Sequence, residues 1–188
     1  MNEFKTNEVG FQPASRDWEY LLHEQRGWQF GEQGILMRLA DEQDCESFCE
    51  IGAGNGGTLP VTIEPMIYRD VWPCHLFEKD SGNIKQLFDR YGAFSSVRLD
   101  GEFALELYDY RHSSDLVVID VDGDDIRIMR EVLSVNRPKV LMVEHQNLQH
   151  EGPAIQATWQ ELLEVAVANF YELAGITLVN SIYVLNEE

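Results

Sequence analysis

The chain has 188 residues, and 14 Lys+Arg against 33 Asp+Glu give a formal net charge of −19. That length suits one medium domain with a full core rather than two, and 44% hydrophobic with 25% charged residues excludes collagen-like, coiled-coil and wholly disordered chains. The acidity, with no Lys/Arg cluster to offset it, argues against a nucleic-acid partner and against an anionic membrane surface.

The longest apolar runs, such as Leu116-Val117-Val118-Ile119, are strand-sized. They fall far short of the roughly 20 residues that a spanning helix needs. The N-terminal residues carry no apolar signal core. Cys45, Cys49 and Cys74 are odd in number and lack a His pair at zinc spacing, so neither a disulfide framework nor a zinc site is expected. A reduced, cytoplasmic protein is expected.

In chain order, residues 1–45 read as a helical lead segment packed on the core, and 46–188 as the main domain. Two short helices are predicted in the lead, over 16–25 (Trp18, Leu21, Leu22) and 34–40 (Ile35, Leu36, Leu39), separated by Gly27 and Gly31. Strands follow at 47–51, 75–79, 96–99, 115–120 and 139–145. The last two are near-continuous apolar runs, as strands covered on both faces should be. Pro60 and Pro65 predict a short or kinked helix after the first strand. Ser81 is placed to cap a helix with Ile84, Leu87, Phe88 and Tyr91 on one stripe and Gly92 at its stop. Ile126, Met129, Val132 and Leu133 form a second stripe, ended before Pro138. Ile155, Trp159, Leu162, Leu163, Ala166 and Phe170 form a third. Strands alternating with helices imply a parallel α/β sheet with right-handed crossovers. Residues 171–174 and 181–185 break that rhythm and predict a terminal hairpin with one antiparallel strand.

Four strand ends carry the chemistry. After the first strand runs Glu50-Ile51-Gly52-Ala53-Gly54-Asn55-Gly56-Gly57. Glycines there permit a tight turn and close approach of a ligand to the backbone, although a purely structural turn has the same look. Glu78 closes the second strand, where an acidic residue can accept hydrogen bonds from ribose hydroxyls. Asp120-Val121-Asp122-Gly123-Asp124-Asp125 closes the fourth. Asp124 and Asp125 suit a helix N-terminus, whereas Asp120 and Asp122 could take a divalent cation, a cationic ligand or a proton. Glu144 and His145 end the neighbouring strand and offer a general base. His23, His75, His112 and His150 lack partners at ligand spacing.

Taken together, these stretches resemble the FkbM-like branch of class I S-adenosylmethionine (SAM)-dependent methyltransferases, from about Gln29 to Leu185. The resemblance rests on Gln29 to Leu36 as a lead-in, the Glu50–Gly56 glycine motif, Val118 to Asp125 with Arg137 to Glu144 following, and the hairpin stretches 171–177 and 180–184. Gln33 stands where the family more often has Asp. The resemblance implies a Rossmann-like, mostly parallel seven-stranded sheet with a C-terminal antiparallel hairpin. It implies SAM as cofactor. Glu50, Gly52, Gly54, Asn55 and Gly56 would hold its methionine part, Glu78 its ribose, and Asp100 would lie near the adenine. Asp120 would sit beside the transferred methyl group.

The expected activity is methylation of a hydroxyl on a small molecule or sugar, with Asp120, Asp122, Glu144 and His145 as the catalytic candidates. No metal site is predicted, because no complete ligand set is visible, and His145 offers a protein base instead. A divalent cation stays open as the alternative. Rival readings are a catalytically silent SAM-fold scaffold and, further behind, a nicotinamide-dependent oxidoreductase. The oligomeric state is not legible in the sequence.

Overall fold

The computed structural model describes residues 32–55, 72–108, 113–145, 153–177 and 179–186. The expected helix at 16–25, Trp18, Trp28, Gly56 and the segment holding Pro60 and Pro65 lie outside these residues. The elements are α1 (Glu32–Glu42), β1 (Phe48–Ile51), β2 (Cys74–Phe77), α2 (Ser81–Tyr91), β3 (Val97–Asp100), β4 (Leu116–Ile119), α3 (Asp125–Val135), β5 (Val140–Glu144), α4 (Pro153–Ala168), β6 (Tyr171–Ile176) and β7 (Asn180–Leu185).

The seven strands form one sheet in the order β3-β2-β1-β4-β5-β7-β6. From β3 to β5 all neighbours pair in parallel, and β7 runs antiparallel between β5 and β6. The fold class is therefore as the sequence implies. The strand order reverses direction between β1 and β4, which creates a crevice at their carboxyl ends where open α/β sheets take ligands.

Alternation along each strand sorts side chains to the two faces. On one face Phe48, Leu116, Val118, Met142 and Ile182 pack with Leu36, Met37, Leu39 and Ala40 of α1 and with Leu87 and Tyr91 of α2. On the other, Cys49, Ile51, Val117, Ile119, Leu141, Val143 and Tyr183 pack with Ile128, Met129 and Val132 of α3 and Leu162 and Ala166 of α4. β1 and β4 are buried along their whole length; β4 accordingly reads as an unbroken apolar run, whereas β1 carries the buried acid Glu50. Each fully buried Leu or Met of α1 stabilises by about 1.5–3 kcal/mol, which holds this helix on the sheet.

Local details depart from the sequence reading in three places. The N-cap of α2 is Asp80, not Ser81: Asp80 Oδ1 accepts from the Asn83 amide at 2.8 Å. Phe88, expected on the buried stripe of α2, is 64% exposed, and Phe170, expected on that of α4, is 58% exposed. Phe170 lies beyond the helix with φ 68°, and the Arg137 guanidinium covers its ring at 5.5 Å. The three cysteines are free and buried, and burial pushes the Cys45 thiol up to about 12. They are small core groups here rather than reactive ones.

Candidate functional site

The carboxyl ends of β1, β2, β4 and β5 open into a cavity of about 450 Å³. Gly52 and Gly54 turn the chain after β1 with φ of 92° and 63°, a region that L side chains avoid. Gly52 is also required by space, because a Cβ there would stand 1.7 Å from the Asp120 carbonyl oxygen. The β1 turn and the end of β4 thus touch backbone to backbone. Glu50, Gly52 and Gly54 line the cavity, whereas Asn55 does not.

Glu78 is buried at the cavity wall. Its Oε2 accepts from the Gly54 amide at 2.8 Å and its Oε1 from the Asp80 amide at 2.7 Å. One carboxylate therefore joins the glycine turn to the start of α2, and each oxygen keeps a further lone pair for a ligand.

Asp120 and Asp122 enter the cavity from the loop after β4. Asp122 has φ 57° and Gly123 φ 119°. Asp125 holds that loop, accepting from the amides of Val121 and Gly123, both at 3.0 Å. Burial raises the Asp125 carboxyl, and these amide bonds pull it back toward the charged form. Asp124, given the same helix-terminal role by the sequence, makes no cap hydrogen bond and pairs instead with Arg127 at 3.0 Å.

Glu144 reaches the cavity from β5, the strand beside β4. Its carboxyl hydrogen-bonds that of Asp120, and burial followed by their mutual repulsion raises Glu144 well above the usual carboxylate range. Asp120 is raised less, by burial and then by the Asp125 charge, and its bond to Glu144 lowers it. A hydrogen bond between two carboxyls needs a proton on one of them, and the upward shifts favour Glu144 as its holder.

Two of the sequence-derived candidates stand elsewhere. His145 follows Glu144 in an extended strand and so points to the opposite face. It is buried there with Nδ1 3.0 Å from the Ser181 hydroxyl, and it does not line the cavity. Asp100 is turned to His75 Nε2 and Arg98 Nε, both at 2.7 Å. Glu102 and Phe103, a little further along the chain, line the cavity in its place.

The structure adds residues that the sequence reading missed. Glu32 of α1 is buried against β7, accepting from the Thr177 hydroxyl at 3.0 Å and from Asn180 Nδ2 at 3.1 Å. Asn180 faces Glu144 in the antiparallel β5–β7 register, and both line the cavity. A polar residue opening an otherwise apolar strand was the available signal. Among the described residues, nine acidic side chains line this space (Glu32, Glu50, Glu78, Asp80, Glu102, Asp120, Asp122, Asp124 and Glu144) against two basic ones, Lys79 and Arg127. Its field therefore favours a ligand bearing positive charge.

No family model matches the chain, and no curated protein matches it. Solved structures do. An O-methyltransferase from Bacillus cereus in complex with S-adenosylhomocysteine (SAH) superposes with a TM-score of 0.60 at 14% identity, covering 93% of this chain and 92% of that one. An O-methyltransferase of tomaymycin synthesis from Streptomyces achromogenes, in complex with SAM, gives 0.55 at 14% identity over 90% and 86%. A fibrillarin pre-rRNA processing protein from Methanococcus jannaschii gives 0.58 at 13% identity over 77% and 68%. The chain therefore has the class I methyltransferase fold. No helix among the described residues is long and apolar enough to cross a membrane.

Proposed function

We propose that this chain is a SAM-dependent methyltransferase of the FkbM-like branch, which transfers a methyl group to a hydroxyl of a small molecule or sugar. The observation that carries the reading is the union of the β1 glycine turn, Glu78 and Asp120 around one acidic cavity at the switch point of the sheet. Two of the solved structures with this fold hold SAM or its demethylated product.

The residues present suit such a ligand. Beside one carboxylate, SAM carries an ammonium, two ribose hydroxyls and a sulfonium; these are donors or positive charges, and the cavity wall consists largely of acceptors. Glu78 would receive the ribose hydroxyls on its remaining lone pairs, and Glu50 with the Gly52–Gly54 turn would hold the amino-acid end. When bound, the cofactor supplies an electrophilic methyl group on sulfur. The task left to the protein is to align the acceptor oxygen with that group and to take its proton. Asp120, tied to Glu144, stands at the carboxyl edge for that role, and the pair can pass the proton between its members. His145 is not part of this arrangement.

Calorimetry with SAH and with NADH tests the cofactor. Binding of SAH at micromolar or lower concentration, with none of NADH, is expected, and the reverse would replace the reading with an oxidoreductase. Incubation with methyl-labelled SAM and a panel of hydroxyl-bearing acceptors then separates an enzyme from a silent scaffold.

A further inference from the structure

We propose that Asp120, Asp122, Glu144 and the Oδ1 of Asn180 form a binding site for one divalent cation of the hard, oxygen-preferring class. One oxygen from each of the three carboxylates lies within 4.8 Å of the others. Around a cation such as Ca²⁺, oxygens stand about 2.3–2.6 Å from the metal, so pairs on opposite sides are about 4.6–5.2 Å apart. The three oxygens fit that span. Among N, O and S donors, an all-oxygen set selects Mg²⁺, Ca²⁺ or Mn²⁺ over zinc or copper.

Asn180 is the independent observation. It is 95% buried, lines the same cavity, and stands opposite Glu144 in the β5–β7 register. Its Nδ2 donates to Glu32 Oε1 at 3.1 Å. An ionised carboxylate can only accept, so the amide nitrogen must face Glu32 and Oδ1 must face away from it. That oxygen is buried and has no hydrogen-bond partner among the described residues. A buried, unpartnered acceptor beside three carboxylates calls for a positive group or a donor from outside the chain. Among the described residues, the guanidinium that lines the cavity, that of Arg127, is already held by Asp124 at 3.0 Å and Glu131 at 2.8 Å.

The catalytic use of this cation, to ease loss of the acceptor's proton, rests on the methyltransferase reading; its binding does not. The test is titration of chelator-stripped protein with Mn²⁺, with free Mn²⁺ read by electron paramagnetic resonance and no adenosyl compound present. One saturable equivalent is expected, displaced by Mg²⁺ or Ca²⁺. Asp122→Asn, at an exposed position that should not disturb folding, is expected to weaken it at least tenfold, as is Glu144→Gln. Absence of saturable binding below millimolar Mn²⁺ overturns the site. So does equal binding by wild type and both variants, since that would be diffuse attraction to an acidic surface. SAH calorimetry in metal-free buffer is scored separately, so loss of one ligand does not remove the other.

Discussion

The Gly54 amide donates to Glu78 Oε2 at 2.8 Å, so the turn after β1 and the acid after β2 act as one unit. The second oxygen of Glu78 is engaged with the Asp80 amide at 2.7 Å. A glutamine at this position keeps the shape but can offer only one acceptor oxygen, leaving an NH₂ against an N–H. Glu78→Gln is therefore expected to weaken SAH binding by roughly tenfold or more, in line with the about 1–3 kcal/mol lost when a charged acceptor is removed. Calorimetry measures it, and an unchanged affinity would take Glu78 out of the site.

Two glycines with positive φ should respond very differently to alanine. At Gly52 the new Cβ would meet the Asp120 carbonyl at 1.7 Å, and backbone must move. At Gly123 nothing lies within 4 Å. Gly123→Ala should cost only the left-handed strain of about 1–2 kcal/mol, whereas Gly52→Ala should cost clearly more and should also reduce SAH affinity. Urea unfolding of the two variants compares them directly, and equal losses would refute the close β1–β4 approach.

The Asp120–Glu144 pair sets a pH dependence. Burial and repulsion raise Glu144 to about 9 in the folded chain, above its unfolded value near 4.5. A carboxyl raised in this way contributes stability that is complete below the unfolded pKa and is lost as pH rises through the folded one. In metal-free buffer, stability should thus decline from about pH 5 toward pH 9. Glu144→Gln, which carries no titrating proton, should flatten that slope. Urea midpoints across the range provide the measurement, and parallel slopes for wild type and variant would contradict the shared proton.

His145 belongs to the fold rather than to the cavity. Its ring is buried on the far face and bonded to Ser181 at 3.0 Å. His145→Ala and Ser181→Ala should each lower stability, by about 1–3 kcal/mol for the orphaned partner, and leave SAH affinity within error. A His145 variant of normal stability that cannot bind SAH would reverse this assignment.

The parts of this molecule legible in sequence are those written along a single element. The buried runs of β4 and β5, the glycines after β1 and the acid after β2 each announce themselves locally, and strand–helix alternation fixes the sheet type. Asp80 and Ser81 are both good caps one residue apart, so composition alone could not choose between them. His145 shows the limit more sharply. Chain proximity to Glu144 placed it at the site, but the two-residue period of a strand puts neighbours on opposite faces. Asn180 carried only the faint signal of a polar residue opening a strand, and Glu32 none, because their role depends on β7 entering beside β5 and on α1 lying over that edge, which are relations between distant segments.

The bond from Glu32 to Asn180 spans 148 positions of chain, and β7 is also the wedge that separates β5 from β6. On a ribosome, the five parallel strands emerge before the residue that completes the cavity wall. Closing so long a loop is entropically slow, and few local contacts reward it early. Partly folded chains that lack β7 thus possess the glycine turn and the acidic strand ends but no finished cavity, and they cannot hold a ligand that needs Asn180. Any such ligand draws only on fully assembled molecules, so by mass action it opposes local detachment of β7 as well as global unfolding, and its binding reports on chains that have completed the sheet.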